Sequence, residues 1–237
     1  MTLSPLAPSS FPDLPKISGI NLATAASGTR YKGRDDILLI TLAPNSSVAG
    51  VFTKSDTAAA PVRWSQTIAK TGKARAIITN AGNANAFTGK KGYQGLKEIA
   101  EELSYNLSEK QKKDEEKPEK IKPNKIIFGC TGTIGEKFPT NKIKTNIPQL
   151  VEKIKYTQNK YIWTKAALGI MTTDLVPKLA MEECKIGSAN VKIYGVAKGS
   201  GMIFPNMATT LAYIFTDANL SSSILQKLLK KNIETTF

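Results

Sequence analysis

The chain has 237 residues, 41% of them hydrophobic, with 33 lysines and arginines against 19 acids and a formal net charge of +14, enough for one large domain or two small ones around a sizeable core. It contains no histidine, which removes Ser-His-Asp and Cys-His catalysis and every histidine-ligated metal site at once. Its two cysteines, Cys130 and Cys184, form no CxxC pair, so neither a disulfide framework nor a zinc cluster is encoded, and both read as small buried hydrophobes in a reducing compartment.

Residues 1–17 are rich in proline and lack periodicity, which predicts a loose arm before a fold that starts near Ser18. They also lack the charged and then apolar segments of an export signal. Ile37–Leu42 and Ser47–Thr53 are β-prone runs separated by the turn-forming APNS, and an antiparallel pair is the simplest arrangement for them. Apolar runs of this length are far short of the roughly 18 residues of a membrane helix. The expectation is a soluble cytoplasmic protein with no membrane partner.

Arg75–Thr79 reads as a buried strand running into NAGNANAFTG (80–89), poor material for any regular element. Leu96, Ile99, Leu103 and Leu107 mark one face of a helix. In 108–124 lysines and acids nearly balance and Ile121 is the one apolar residue, the composition of a solvated or disordered insertion. The basic excess therefore lies in the body, where the lysines are scattered. That pattern favours a lysine-rich soluble surface over a nucleic-acid groove, with a positive field that gathers a small anionic substrate between the two. Ile126–Phe128 is a further strand, Leu150–Ile154 a helix behind Pro148, and Val191–Ala197 and Leu211–Phe215 two more strands. A helix with a serine N-cap and the stripe Ile224, Leu225, Leu228 and Leu229 follows. Strand pairs alternating with single helices indicate a layered α/β domain rather than a doubly wound parallel sheet.

Four stretches carry glycine, threonine or asparagine where a core would want bulk: 80–89, GCTGTIGEKFP (129–139), ALGIMTTDLVPK (167–178) and GVAKGSGMIFPNMATT (195–210). Glycine-rich turns at strand ends present N–H groups that hold an oxyanion or a carboxylate. Singly, each reads as an ordinary tight turn rather than a site. None has the spacing of a phosphate loop, a dinucleotide fingerprint or a GxSxG elbow. Without histidine, a threonine hydroxyl can be activated by its own α-amine, whose reference pKa is roughly 7.7 to 8.0. An internal threonine gains that amine only when the bond before it breaks, and Ala208-Thr209 places a small residue before a threonine. Two threonines opening a β-strand explain the same residues without chemistry.

NAGNANAFTG, TGTIGE, IMTTDLVPK and AKGSGMIFPNMATTLAYIFTDA, together with AGVFTKSDTAAAPVRWS (49–65), resemble the ornithine acetyltransferase family, self-cleaving enzymes of arginine biosynthesis. The match runs from about Gly19 to the last residue. The resemblance implies a layered sandwich of mixed or antiparallel sheets and helices, N-terminal-nucleophile-like, of the ornithine acetyltransferase/aminopeptidase type. It implies cleavage between Ala208 and Thr209 into an α chain (18–208, interrupted by 108–124) and a β chain that starts at 209 and stops short at 237. Thr209 is then the nucleophile, Thr131 and Gly132 the oxyanion hole, and Thr172 or Thr173, Lys198 and Thr209 the substrate contacts. The implied reaction moves acetyl from N-acetylornithine to glutamate, with acetyl-CoA a second donor in part of the family, in an α2β2 assembly without metal or cofactor. An N-terminal-nucleophile hydrolase or aminopeptidase, an inactive fragment, and a basic binding module are the alternatives.

Overall fold

Every side chain of Ile37–Leu42 is buried except that of Thr41, which is half-buried, because both faces of this strand are covered. Ile37 and Leu39 point into one apolar cluster and Leu38, Ile40 and Leu42 into another, the period of two expected of a strand. The computed structural model describes residues 7–155, 158–200 and 210–236. The elements in chain order are β1 (Ile20–Ala25), β2 (Ile37–Leu42), α1 (Ala60–Ala69), β3 (Ala76–Asn83), α2 (Gly89–Asp114), a single 3-10 turn (Pro123–Lys125), β4 (Ile126–Thr133), α3 (Thr140–Lys153), α4 (Ile162–Ile170), β5 (Lys178–Ile186), β6 (Ala189–Lys198), β7 (Leu211–Thr216) and α5 (Ser222–Thr236).

Two sheets result. The first has the order β1-β2-β3-β4, antiparallel except for the parallel β3–β4 pair, whose connection is supplied by α2. The second is the antiparallel β5-β6-β7. On one face of the first sheet, Leu96, Ile99 and Leu103 of α2 and Ile143, Ile147 and Leu150 of α3 pack on Ile78 and Phe128. On the other face, Trp163 and Ile170 of α4 join Tyr194 and Phe215 of the second sheet around Leu22, Leu38 and Ile40. The result is the mixed α/β sandwich that the sequence indicates.

Several expectations change. Ser47–Thr53 forms no strand: a single bridge joins Ser47 to Lys73, and β2 pairs instead with β1 and β3. Strand β3 continues through Asn80–Asn83, because polar side chains replace missing partners: Asn80 Nδ2 donates to the Asn83 carbonyl at 2.8 Å. Helix α3 begins at Thr140 and contains Pro148, since Ile143 and Ile147 already belong to its buried stripe and outweigh the hydrogen bond that proline removes. The N-terminal arm is anchored at its end, with Leu14 and Ile17 buried in the second cluster. Cys184 is exposed rather than buried.

The charged segment is also ordered in part. Helix α2 runs to Asp114, Ser108 Oγ receives the Ile121 N–H at 3.0 Å, and Glu119 meets Arg75 Nε at 3.0 Å. Ile121 is 4% exposed and sits with Leu107 in the first core. One apolar residue suffices to dock the segment, because its neighbours supply the polar partners. Ile121→Ala should therefore lower stability by about 2–4 kcal/mol, read from urea denaturation; a change within about 0.5 kcal/mol would return the segment to a passive insertion.

Among the described residues, no helix is long and apolar enough to cross a membrane. Among them, too, no group of three or more His, Cys, Asp or Glu side chains could hold a metal ion.

Candidate functional site

The parallel β3–β4 pair ends in an irregularity. Gly82 lies opposite Gly132, and Asn83 is opposite both Thr131 and Thr133, a bulge of the kind that re-aims side chains at a sheet edge. Gly132 has φ +130, and a Cβ there would lie 2.3 Å from the Gly82 carbonyl carbon and 2.6 Å from the Asn83 nitrogen, so only glycine permits the approach. Asn83 braces the loop that follows β4: its Nδ2 donates to the Glu136 and Lys137 carbonyls at 3.3 and 3.2 Å. The asparagine-rich motif thus shapes the TGTIGE loop.

Three of the expected site residues converge. Lys198, the last residue of β6, is 4% exposed. Its ammonium donates to Thr131 Oγ1 at 2.9 Å and to Thr172 Oγ1 at 2.8 Å, joining the ends of β4 and β6 to the turn after α4. Gly132 adjoins Thr131 in β4. Thr173, by contrast, is exposed and reaches the Ser200 carbonyl at 3.5 Å, so Thr172 is the threonine brought to the lysine. Ala208 and Thr209 lie outside the described residues. Leu211, two positions after Thr209 in sequence, is the register partner of Lys198.

The electrostatics follow from burial. Desolvation pushes the Lys198 ammonium below its ordinary pKa; Asp174 opposes this and Lys178 adds to it. Asp174 is itself desolvated, but hydrogen bonds from Lys178, Gly199 and Thr172 outweigh that and hold its carboxyl below the usual range. Burial pushes the half-buried Cys130 thiol up, which disfavours the thiolate.

Sequence reasoning gave no role to Asp174, Arg34 or Tyr213. Asp174 stood inside the MTTD motif, and its value two places after Thr172 was the available signal. Arg34 Nη2 donates to the Met171 carbonyl at the start of that turn and its guanidinium lies over the Tyr31 ring. Tyr213 of β7 crosses between the sheets to Thr79, with its hydroxyl 2.7 Å from Thr79 Oγ1; a Cβ on Gly129 would meet that hydroxyl at 2.2 Å. These contacts link residues far apart in sequence, so no local pattern announces them.

The two-sheet α/β sandwich has counterparts among solved structures. Among solved structures, the chain is similar to ornithine acetyltransferase from Mycobacterium tuberculosis, in complex with ornithine, with 31% identity and a TM-score of 0.68 over 81% of this chain and 93% of that one. It is likewise similar to the arginine biosynthesis bifunctional protein ArgJ from Bacillus halodurans, with 31% identity and a TM-score of 0.66 over 81% of this chain and 92% of that one. The ArgJ family model matches residues 21–237, and the chain belongs to the ArgJ family. Arginine biosynthesis bifunctional protein ArgJ from Nitrobacter winogradskyi is 44% identical over 99% of this chain and 54% of its own length. That from Bradyrhizobium diazoefficiens is 44% identical over all of this chain and 53% of its own length. The chain thus spans about half the length of the curated relatives it matches.

Proposed function

We propose that the chain belongs to an acetyltransferase that moves acetyl from N-acetylornithine to glutamate in arginine biosynthesis, through an acetyl ester on Thr209 formed after the Ala208–Thr209 bond is cut. The observation that supports this most is the Lys198 ammonium shared between Thr131 and Thr172, at a strand end paired with the strand that follows Thr209. Cleavage frees the Thr209 α-amine, which takes the hydroxyl proton as the oxygen attacks the acetyl carbonyl. The Thr131–Gly132 end of β4 stabilises the resulting oxyanion. Collapse breaks the amide C–N bond, and ornithine leaves with the proton from the α-amine. The glutamate amine then attacks the ester and releases the threonine hydroxyl. Lys198 holds a substrate carboxylate.

The same reading makes 18–208 the α chain and 209 the start of the β chain, with 1–17 as its leading arm, in an α2β2 assembly in the cytoplasm. Acetyl-CoA serves as a second donor to glutamate.

Steady-state kinetics of the full-length polypeptide with N-acetylornithine and glutamate test the assignment. Thr131→Val should lower kcat about 10²–10³-fold, as the loss of one oxyanion donor does, while leaving KM nearly unchanged. Lys198→Ala should instead raise KM, by about 10–100-fold for a lost charge-assisted bond. A Thr131 variant with raised KM and unchanged kcat moves that residue from catalysis to binding. Acetate release independent of glutamate favours the hydrolase reading.

A further inference from the structure

Three segments converge on one carboxylate behind Lys198. Asp174 has no exposed side-chain surface. Its Oδ1 accepts the Gly199 N–H at 2.7 Å and Lys178 Nζ at 2.6 Å, and its Oδ2 accepts the Thr172 N–H at 3.3 Å. A carboxylate withdrawn from water needs such donors. Two of them are the backbone amides nearest the site: Gly199 directly follows Lys198, and Thr172 is the residue whose hydroxyl meets Lys198 Nζ.

We propose that Asp174 is a positioning residue that clamps the end of β6 to the turn after α4 and so fixes the direction of Lys198 toward Thr131 and Thr172. It acts on the backbone at both ends of the Lys198–Thr172 hydrogen bond. This rests on the proposed role of Lys198 as the carboxylate anchor.

The clamp carries charge as well as geometry. Among the described residues, the charged groups that bear on Lys198 are Asp174, which favours its protonated form, and Lys178, which disfavours it; the hydroxyls of Thr131 and Thr172 are neutral acceptors. Arg34 contacts the turn at the Met171 carbonyl. Asp174→Asn keeps an oxygen for the Gly199 amide and loses the negative charge, so the Lys198 ammonium should become easier to deprotonate. Lys178→Met removes the opposing cation and leaves the carboxylate uncompensated, so Lys198 should hold its proton more tightly. Opposite shifts from two contacting residues are not the signature of loosened packing.

The test is an NMR titration of the Lys198 side-chain carbons in the chain itself, with the resonance assigned by its loss in Lys198→Arg. It needs no catalytic turnover. The midpoint should fall by about one pH unit or more in Asp174→Asn, the scale of a nearby opposite charge, and should rise in Lys178→Met. Unchanged midpoints, or shifts in the same direction, overturn the proposal. Should Asp174→Asn fail to give a native circular-dichroism spectrum, Lys178→Met decides alone: a rise supports the clamp, and anything else refutes it. A wild-type enzyme without acetyl transfer removes the proposed function and leaves the titration result standing.

Discussion

Thr209→Ala should remain one polypeptide in denaturing mass spectrometry, whereas the wild type should give two, the shorter beginning at Thr209. The expectation starts from chemistry: with no histidine in the chain, a hydroxyl nucleophile needs another base, and a freed α-amine has a pKa near neutrality. Ala208-Thr209 is the bond at which the motif resembling the self-cleaving family places the cut. Leu211, two positions after Thr209 in sequence, is the register partner of Lys198, whose ammonium meets Thr131 and Thr172. Thr209→Ser keeps a hydroxyl and should still cut. Thr210→Ala should cut like the wild type, which separates the two adjacent threonines. Equal processing of Thr209→Ala and wild type would sink the assignment.

Much of the fold was legible where one physical signal dominated. The apolar run of β2, the stripe of α2 and the capped start of α5 each follow from a single periodicity or cap; Ser221 Oγ does receive the Ile224 N–H, at 3.3 Å. Legibility failed where tertiary partners overrode local composition. Asn80–Asn83 looked too polar for a strand, yet Ala81 N–H donates to the Asp36 carbonyl at 2.8 Å and Ala84 N–H to the Thr133 carbonyl at 2.9 Å, so its backbone is satisfied by neighbours distant in sequence. Val48 N–H finds the Gly72 carbonyl at 3.0 Å, which draws its segment away from β2. Strand β5 is mostly exposed, and Leu179 and Met181, its two side chains packed on the second core, are too short an apolar signal to read. Helix α4 buries Ile162, Trp163, Ala166, Ala167 and Ile170 at helical spacing, but it is short and its outer side carries Leu168, so the contrast between faces is harder to read than in α2.

The site divides in the same way. Thr131, Thr172 and Lys198 were found through motifs, and the structure adds that one ammonium joins them. Asp174 stayed hidden because one of its partners, the Gly199 N–H just after β6, lies 25 residues away, a relation with no sequence period. The buried charge at Lys198 could not be inferred from a chain with so many surface lysines; it requires knowing that β6 ends inside the sandwich.

Gly132→Ala should destabilise the protein by about 2–4 kcal/mol, as overpacking against immovable neighbours does, and should remove Thr131 from Lys198 in the fraction that still folds. The added methyl would lie 2.3 Å from the Gly82 carbonyl carbon and 2.6 Å from the Asn83 nitrogen. Both are backbone atoms of the parallel neighbour, so no side chain can rotate aside. The strands must part at the register step that pairs Gly82 with Gly132, and Thr131 sits one residue before it. Gly135, in the same loop, separates conformational strain from this collision: its φ is +81 and nothing lies within 4 Å of an added Cβ. Gly135→Ala should cost only the left-handed strain, about 1–2 kcal/mol. Guanidinium denaturation of both variants gives the comparison, and the Lys198 side-chain NMR signal reports the site. If Gly132→Ala is no more costly than Gly135→Ala and leaves that signal in place, close approach of the two strands is not what aims Thr131.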